Sequence, residues 1–440
     1  MDKKRKLNVL SKLIKKSIFW GSSIQSSFQL LISCIVIILI SIITSKPTYA
    51  QKPLDNYITI AAENNPSLKA TYTEFEVALQ QVNQVKALED PRLSFGYFIS
   101  PIEKKVGAQR AKLSLTQTFP WFGTLKSKAN IATYLAEAKY QTFINERNKL
   151  IWEVNKAYYP IYENKKQFAL LEDNLQILQT YKRLALSAYE NNRGALADVI
   201  RVDIMIEDAK IELKILNNQL RPLAVRFNQL LNRSDTFSIE TPDTISSPLI
   251  GINYRRDSLL VENPMVQSLE IQKNAMLESE KLAKKNALPQ FGVGLDYTII
   301  GKRTDMSMPK SGNDLFMPMI TVSLPIYRNK YKAAITESQL NQKAIEYRKE
   351  AVENDLISNY ENAAFQLNKS TELILLYNSQ ITKTKQLIQL LYASYSNSTK
   401  EFEEVLRMQQ QLLKYQMSKA TAEKNYQVAL AEIEYLTFGG

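Results

Sequence analysis

The spacing of apolar residues along the chain changes between two periods, and it does so at two joints. In residues 111–119 apolar and polar positions alternate, as in a β-strand with two different faces. Pro120 and Gly123 then interrupt the chain, and the next sixty or so residues have helical spacing. A second alternating segment, residues 319–324, ends at Pro325 and also continues into a long helical segment. Two such joints in one chain predict a duplicated architecture.

The first joint lies between a predicted strand hairpin and a predicted helical hairpin. Residues 92–98 and 113–119 alternate and flank a polar loop at 100–109, so the strand hairpin covers about 91–119. The helical hairpin covers about 124–232 and turns at residues 191–194. Its first helix, ending near residue 189, would be roughly 95 Å long. Pro160 predicts a kink or a local break in that helix.

The second half repeats this order. A strand hairpin is predicted at about 289–325, with a polar loop at 301–314, and a helical hairpin at about 329–437. The Asn-Pro and Pro motifs of the first half recur in the second half at one constant sequence separation. Residues 198–201 resemble residues 404–407 at a second, larger separation. These matches predict an internal two-fold repeat. The predicted organisation is a signal peptide at 1–50, a first repeat at 51–234, a linker at 235–254 and a second repeat at 255–440.

Residues 1–50 resemble a secretory signal. A basic segment precedes an apolar run at 30–43, and Thr48-Tyr49-Ala50 supplies small residues before a predicted cleavage site. The alternative is an uncleaved membrane anchor, although the run is short for a bilayer span. Cys34 follows Leu31-Ile32-Ser33, which has the form of a lipoprotein box, but more apolar residues follow it. Cleavage after Ala50 is the preferred prediction, and lipidation of Cys34 is the alternative.

Composition narrows the function classes. The net charge is +12, but residues 1–50 hold eight Lys or Arg and one Asp, so the remainder carries only +5. A nucleic-acid partner is therefore not expected. The chain has no His and a single Cys, so it lacks His bases and His/Cys metal sites. We expect no enzymatic activity and no cofactor.

Four predicted strands cannot close a barrel, and an open sheet edge cannot lie in lipid. Several chains must therefore share one barrel, with strands of about ten residues crossing the bilayer at a tilt. Aromatic residues cluster at the strand ends, as they do at membrane–water interfaces. They are Tyr97, Phe98, Phe119, Trp121, Phe122, Phe316, Tyr327 and Tyr331. The membrane-interface joint is predicted at Phe119, Pro120, Trp121, Phe122, Leu324, Pro325 and Tyr327.

The second long helix carries a heptad pattern. Apolar residues recur every seven positions from Tyr360 to Tyr395, and the complementary positions include Ser370 and Thr384. The small polar residues suggest helices that pack side by side around a wet interior; the alternative is an ordinary αα-hairpin, which shows similar seams.

The repeated motifs resemble the TolC-like family of outer-membrane efflux proteins over about residues 52–438. The resemblance is carried by the two helical hairpins and by the segments at 63–66, 90–91, 115–123 and 324–330. The family implies a mainly α fold with a β-barrel portion: a homotrimer whose four strands per chain form a twelve-stranded outer-membrane barrel above a periplasmic α-helical tunnel. It also implies passive conduction, with energy from an inner-membrane pump acting through a periplasmic adaptor protein.

The resemblance also suggests site residues. Adaptors of the family contact the periplasmic hairpin tips, which here contain Asn192, Arg193, Gly194, Ala195, Ser398 and Thr399. The periplasmic gate of the family maps to Tyr395, Glu401, Glu403, Glu404 and Arg407. Many relatives have Asp where this chain has Arg407, so either the glutamates form the gate or the channel closes differently. The alternative for the glutamates is an acidic first helical turn that complements the helix dipole.

The cargo is left open between drugs, heavy-metal cations and a type I secreted protein. Met306, Met308, Met317 and Met319 flank the outer loop of the second strand hairpin, and thioethers are soft ligands suited to Cu(I). We favour ordinary loop and strand packing for these methionines. Outside the channel class, the alternatives are an inner-membrane-anchored coiled-coil scaffold, which needs no strands, and a periplasmic adaptor, which has one helical hairpin.

Overall fold

The computed structural model describes residues 53–101, 103–245, 260–305, 309–397 and 402–437. Nearly all of them belong to one compact unit, residues 56–440. The described elements are α1 (Pro53–Asn64), α2 (Pro66–Lys86), β1 (Arg92–Tyr97), β2 (Glu103–Lys104), β3 (Gly107–Phe119), α3 (Thr124–Glu190), α4 (Leu196–Leu230), α5 (Pro264–Asn286), β4 (Gln290–Ile300), β5 (Leu315–Ser323), α6 (Arg328–Asn397) and α7 (Phe402–Thr437). The fold is mainly helical. Within the described ranges, none of these helices is long and apolar enough to cross a membrane.

Asparagine caps begin the helix that precedes each strand hairpin. The Asn65 side chain accepts a hydrogen bond from the Leu68 amide (3.1 Å), and Asn263 accepts from the amides of Met265 and Val266. Proline follows each cap at the first helical position, where its missing N–H costs no hydrogen bond. Each Asn-Pro pair therefore fixes a helix start.

The two strand hairpins join in one antiparallel sheet with the order β1–β3–β4–β5. The central pair is β3 with β4, which places Leu115 opposite Leu295 and Phe119 opposite Phe291. The strands β1 and β5 occupy the two edges, so each has one side without a strand partner among the described residues.

The predicted polar loop at 100–109 is wrong in part. β2 pairs with the start of β3, and β3 already begins at Gly107. The sequence pattern did not indicate this extension because residues 107–110 lack apolar alternation. Their partners come from β2 and, at Gln109, from Ile300 of β4.

Away from the sheet, the helices pack side by side in the order α4–α3–α7–α6. Nearer the sheet, the order is α2–α3–α5–α6. One core cluster joins α3, α4 and the start of α7, where Tyr181 meets Phe402 edge to face with ring centroids 6.0 Å apart. A second cluster joins α6 to α7 through Ala363, Leu367 and Tyr426. These clusters hold each helical hairpin as a packed pair.

The wet-interior interpretation of the α6 heptad is wrong for its small polar residues. Ser370 and Thr384 are 3% and 7% exposed, so they do not line an open interior. The Ser370 hydroxyl is satisfied by the Gln366 carbonyl of its own helix (2.7 Å), which lets a small side chain be buried in the seam.

Pro160 does not break α3, which is continuous from Thr124 to Glu190. The residues around it, Tyr158, Ile161 and Tyr162, are almost fully buried, so packing on the neighbouring elements holds the helix where a hydrogen bond is lost. A second internal proline, Pro222, lies at an exposed position within the continuous helix α4 and was not recognised from the sequence.

The first part of the predicted linker, residues 235–245, is packed rather than extended away from the helices. Ile239 is buried, Lys165 donates to its carbonyl (2.5 Å), and Tyr158 donates to the carbonyl of Glu240 (3.1 Å). Residues 246–254 lie outside the described residues.

Candidate functional site

The sheet has one apolar face and one polar face. Cross-strand partners share a face, and the apolar face is assembled from all four long strands. Its members include Leu93, Phe95, Leu115, Phe291, Val293, Tyr297, Phe316, Ile320 and Val322. Much of the apolar face is exposed to solvent, since Phe95 is 66% and Ile320 is 81% exposed. So large an exposed apolar surface calls for an apolar environment.

The opposite face is polar and contains a charged pair. It carries Ser94, Ser114, Thr116 and Thr298, with Lys112 and Asp296 at its centre. The Lys112 ammonium lies 2.5 Å from the Asp296 carboxylate, which is 1% exposed. Met317 and Met319 also lie on this face, opposite Asp296 and Gly294. Met306 and Met308 lie outside the described residues, so the ordinary packing that we favour for the four methionines stays a prediction, as does the alternative of a Cu(I) site.

The first joint is a tight turn between β3 and α3. Gly123 adopts a left-handed conformation (φ +76°), and the Thr124 amide donates to the Trp121 carbonyl (3.0 Å). Lys285 of α5 donates to the Gly123 carbonyl (2.9 Å) and to the Ser127 hydroxyl (2.8 Å), which ties the turn to the neighbouring helix. Trp121 stacks on Phe291 of the apolar face at 5.8 Å, whereas Phe122 is 82% exposed. Pro120 is half-buried and Phe119 ends the strand on the apolar face.

The second joint has the same order of residues without a glycine. The Ile326 amide donates to the Leu324 carbonyl (3.0 Å), and the Arg328 amide donates to the Ile326 carbonyl (2.9 Å). Pro325 is half-buried, whereas Leu324, Ile326 and Tyr327 are exposed. Apolar and aromatic side chains are therefore exposed to solvent at both joints between the sheet and the helices.

The hairpin tip between α3 and α4 is compact and exposed. Asn192 has a left-handed backbone (φ +55°), and the Arg193 amide returns to the Ala188 carbonyl (2.7 Å). Gly194 sits close over Ala188, and Ala195 caps α4. In the other tip, Ser398 and Thr399 lie outside the described residues.

The start of α7 brings three of the predicted gate residues, Glu403, Glu404 and Arg407, into ion pairs. Glu404 pairs with Arg407 one turn later, at 2.5 and 2.8 Å, and this guanidinium lowers the pKa of the Glu404 carboxyl through its hydrogen bonds. Glu403 lies 3.3 Å from Arg201 of α4. Glu401 and the side chain of Tyr395 lie outside the described residues.

Arg201 was missed as a candidate residue. It lies 3.2 Å from Asp198 on its own helix and 3.3 Å from Glu403 on α7, so it links the two helical hairpins. The similarity of residues 198–201 to residues 404–407 was a signal for it, because both segments hold an acid and an arginine three positions apart.

A model of the outer membrane efflux protein family matches residues 57–233 and 256–437. The chain belongs to the outer membrane efflux protein family. The resemblance drawn from the sequence is thereby confirmed. This is a family of outer-membrane exit channels and not of enzymes, so the efflux protein described here is an outer-membrane efflux channel protein.

Individual proteins agree with this assignment. Outer membrane protein TolC of Salmonella enteritidis is 21% identical to this efflux protein over 400 residues, 84% of this chain and 79% of TolC. The solved structure of CusC has a TM-score of 0.74 at 14% identity, with 87% of this chain and 91% of that chain covered. VceC of Vibrio cholerae has a TM-score of 0.69 at 15% identity, covering 87% and 96%. At these identities the two solved structures establish the fold alone.

Proposed function

We propose that this efflux protein works as a homotrimer, as the passive exit duct of a tripartite efflux system. Three chains would share one twelve-stranded barrel in the outer membrane, and the helical hairpins would form a tunnel through the periplasm. The observation that carries this proposal is the sheet itself. Among the described residues it has two edges without a strand partner, one exposed apolar face and one polar face, which is what one sector of a shared barrel requires.

Exposed apolar residues on the outer helices support assembly from several copies. On α4 they recur along one side of the helix as Leu196, Ile200, Ile204, Ile211 and Ile215. On α6 they include Leu340, Tyr347, Phe365 and Leu390. Because α4 and α6 lie at opposite ends of the helix order, the α4 of one copy would pack on the α6 of the next. Such head-to-tail contacts close into a ring when the rotation permits it.

The partners at the helical end follow from the family assignment. We infer that a periplasmic adaptor protein contacts the hairpin tips, including Asn192–Ala195, and that an inner-membrane pump supplies the energy. The exposed, tightly turned α3–α4 tip supports this because its shape is fixed before a partner arrives.

Closure of the duct at the hairpin tips would depend on the ion pairs of Glu403 and Glu404. The Glu403–Arg201 pair supports this role because it joins α4 to α7, two helices from different hairpins. The alternative, an acidic first turn that only complements the helix dipole, would leave channel current unchanged when Glu403 is neutralised.

Two measurements test the proposal. Membrane fractionation should place the chain in the outer membrane, and the purified protein should conduct ions in a planar bilayer until heating dissociates it. The coiled-coil scaffold alternative predicts an inner-membrane chain with its N-terminus retained and no conductance. A fully folded preparation without conductance would contradict the duct.

A further inference from the structure

A cavity of about 470 Å³ lies beneath the sheet, between the first turns of α3 and α6 and the last turns of α5. This volume is within the usual range for sites that hold small molecules. Most of its lining residues have hydrogen-bonding side chains, among them Lys128, Asn286, Gln290, Lys330, Ser338 and Asn341.

The charges on the cavity wall are unbalanced. Lys128 and Lys330 face a single acidic lining residue, Glu337, and neither ammonium is in an ion pair with any described residue. The nearby lysines of α5 differ in this respect, because Lys281 and Lys284 each lie 2.7 Å from a glutamate of their own helix. The Lys330 ammonium lies 6.0 Å from the centroid of the Tyr331 ring, at the outer limit of a cation–π contact, so the cavity still offers two cationic donors.

The position of Gln290 relates the cavity to the two faces of the sheet. Gln290 begins β4 and shares its polar face with Asp296, three alternate positions further along. The cavity consequently opens on the side of the polar face, away from Trp121 and Phe291. If the polar face lines the duct, the cavity is a recess in the duct wall.

We propose that this recess is a weak binding subsite for the anionic groups of small polyvalent organic anions that pass through the duct. This inference rests on the proposed function. The lysine ammoniums would attract carboxylate groups, while the amides of Asn286 and Asn341 donate hydrogen bonds to the same oxygens. Weak binding suits a conduit, since an ion that enters a site must also leave it.

The test compares two double variants that remove the same charge. The double variant Lys128→Gln with Lys330→Gln removes both lysine ammonium groups from the recess. Lys126→Gln with Lys332→Gln is the matched control, because each of these exposed lysines is two positions away on the same helix and lies on nearly the opposite side. The probe is citrate. Its block of the bilayer current, the reversal potential in a salt gradient and its equilibrium dialysis against the solubilised full-length protein are measured for the wild type and both variants.

The recess variant should bind citrate more weakly by roughly tenfold, since two charged donors are lost. Its reversal potential should also move toward cation selectivity, whereas the control should stay close to the wild type. Equal citrate block and equal reversal potentials in the two variants would overturn the subsite and leave the duct intact. A wild-type protein that does not conduct would contradict the proposed duct instead, and dialysis would then decide the subsite alone.

Discussion

At the residue scale, Gly123 illustrates how one backbone conformation sets the direction of a long helix. Its left-handed φ of +76° turns the chain from β3 into α3, and its carbonyl accepts from Lys285 of α5. A side chain at this position would be strained by the backbone conformation, and its Cβ would also lie 3.0 Å from the Lys285 amine.

Gly123→Ala should lower stability by about 1 kcal/mol, because a residue with a Cβ pays for the left-handed conformation. The thermal midpoint of the circular dichroism signal measures the effect. Gly96→Ala is the control, since a Cβ at Gly96 would meet no atom within 4 Å. Equal midpoints for the two variants would contradict the importance of the turn.

Tyr158 provides a pH-dependent prediction away from the membrane. Burial raises its pKa from 10.0 to about 12, and its hydroxyl donates to the Glu240 carbonyl. Above pH 10 the unfolded chain ionises at Tyr158 while the folded chain does not, so the wild type loses stability between pH 10 and 12.

Tyr158→Phe should therefore be less stable than the wild type at pH 8, by about 1 kcal/mol for the lost hydrogen bond. The difference should shrink between pH 10 and 12, because the variant has no hydroxyl to ionise there. Thermal midpoints of both proteins at pH 8 and pH 11 check this. A gap that stays constant across this range would exclude Tyr158 as a source of the alkaline loss.

At the scale of elements, the two ion pairs at the start of α7 differ in what they join. Glu404 pairs with Arg407 inside α7, whereas Glu403 pairs with Arg201 of α4. Only the second can hold two helical hairpins together.

If the tip closes the duct, Glu403→Gln should raise the single-channel current more than Glu404→Gln does. Arg201→Gln should raise the current as much as Glu403→Gln, and the double variant should add little further, because both residues belong to one pair. Currents in planar bilayers measure this. Equal effects of the Glu403 and Glu404 variants would reject the interhelical pair as part of the closure.

The joints allow a test of membrane insertion. Replacing Trp121 and Phe122 with Asp places charges beside the apolar face, so the yield of assembled protein in the outer membrane should fall severalfold. Molecules that do assemble should conduct normally. Lys126→Asp, three residues beyond Gly123, is the control for added negative charge. An unchanged yield for the aromatic variant would place the joint away from the interface.

Periodicity was sufficient to predict most strands and long helices, because each has two chemically different sides. It failed where the stabilising partner is remote in sequence. Residues 107–110 pair with β2 and with Ile300, Arg201 meets Glu403 across two hairpins, and Pro160 is held by burial of its neighbours. Ser370 was misassigned for a different reason. Its hydroxyl is satisfied within α6 by the Gln366 carbonyl, and a small polar residue gives the same sequence pattern in a wet interior and in a tight helix seam.

At the scale of the whole molecule, one chain leaves three features without partners among its described residues. These are the two edges of the sheet, its bare apolar face, and the apolar rows on α4 and α6. Lipid would cover the apolar face, and further copies of the chain would cover the edges and the rows. A barrel shared between copies, as proposed above, would account for all three at once.

The number of chains in the assembly is therefore the most direct test. Native mass spectrometry of the protein extracted from outer membranes in mild detergent should give three times the mass of the heat-dissociated chain. A folded, conducting species with the mass of one chain would contradict the account, and so would one in which the copies number other than three.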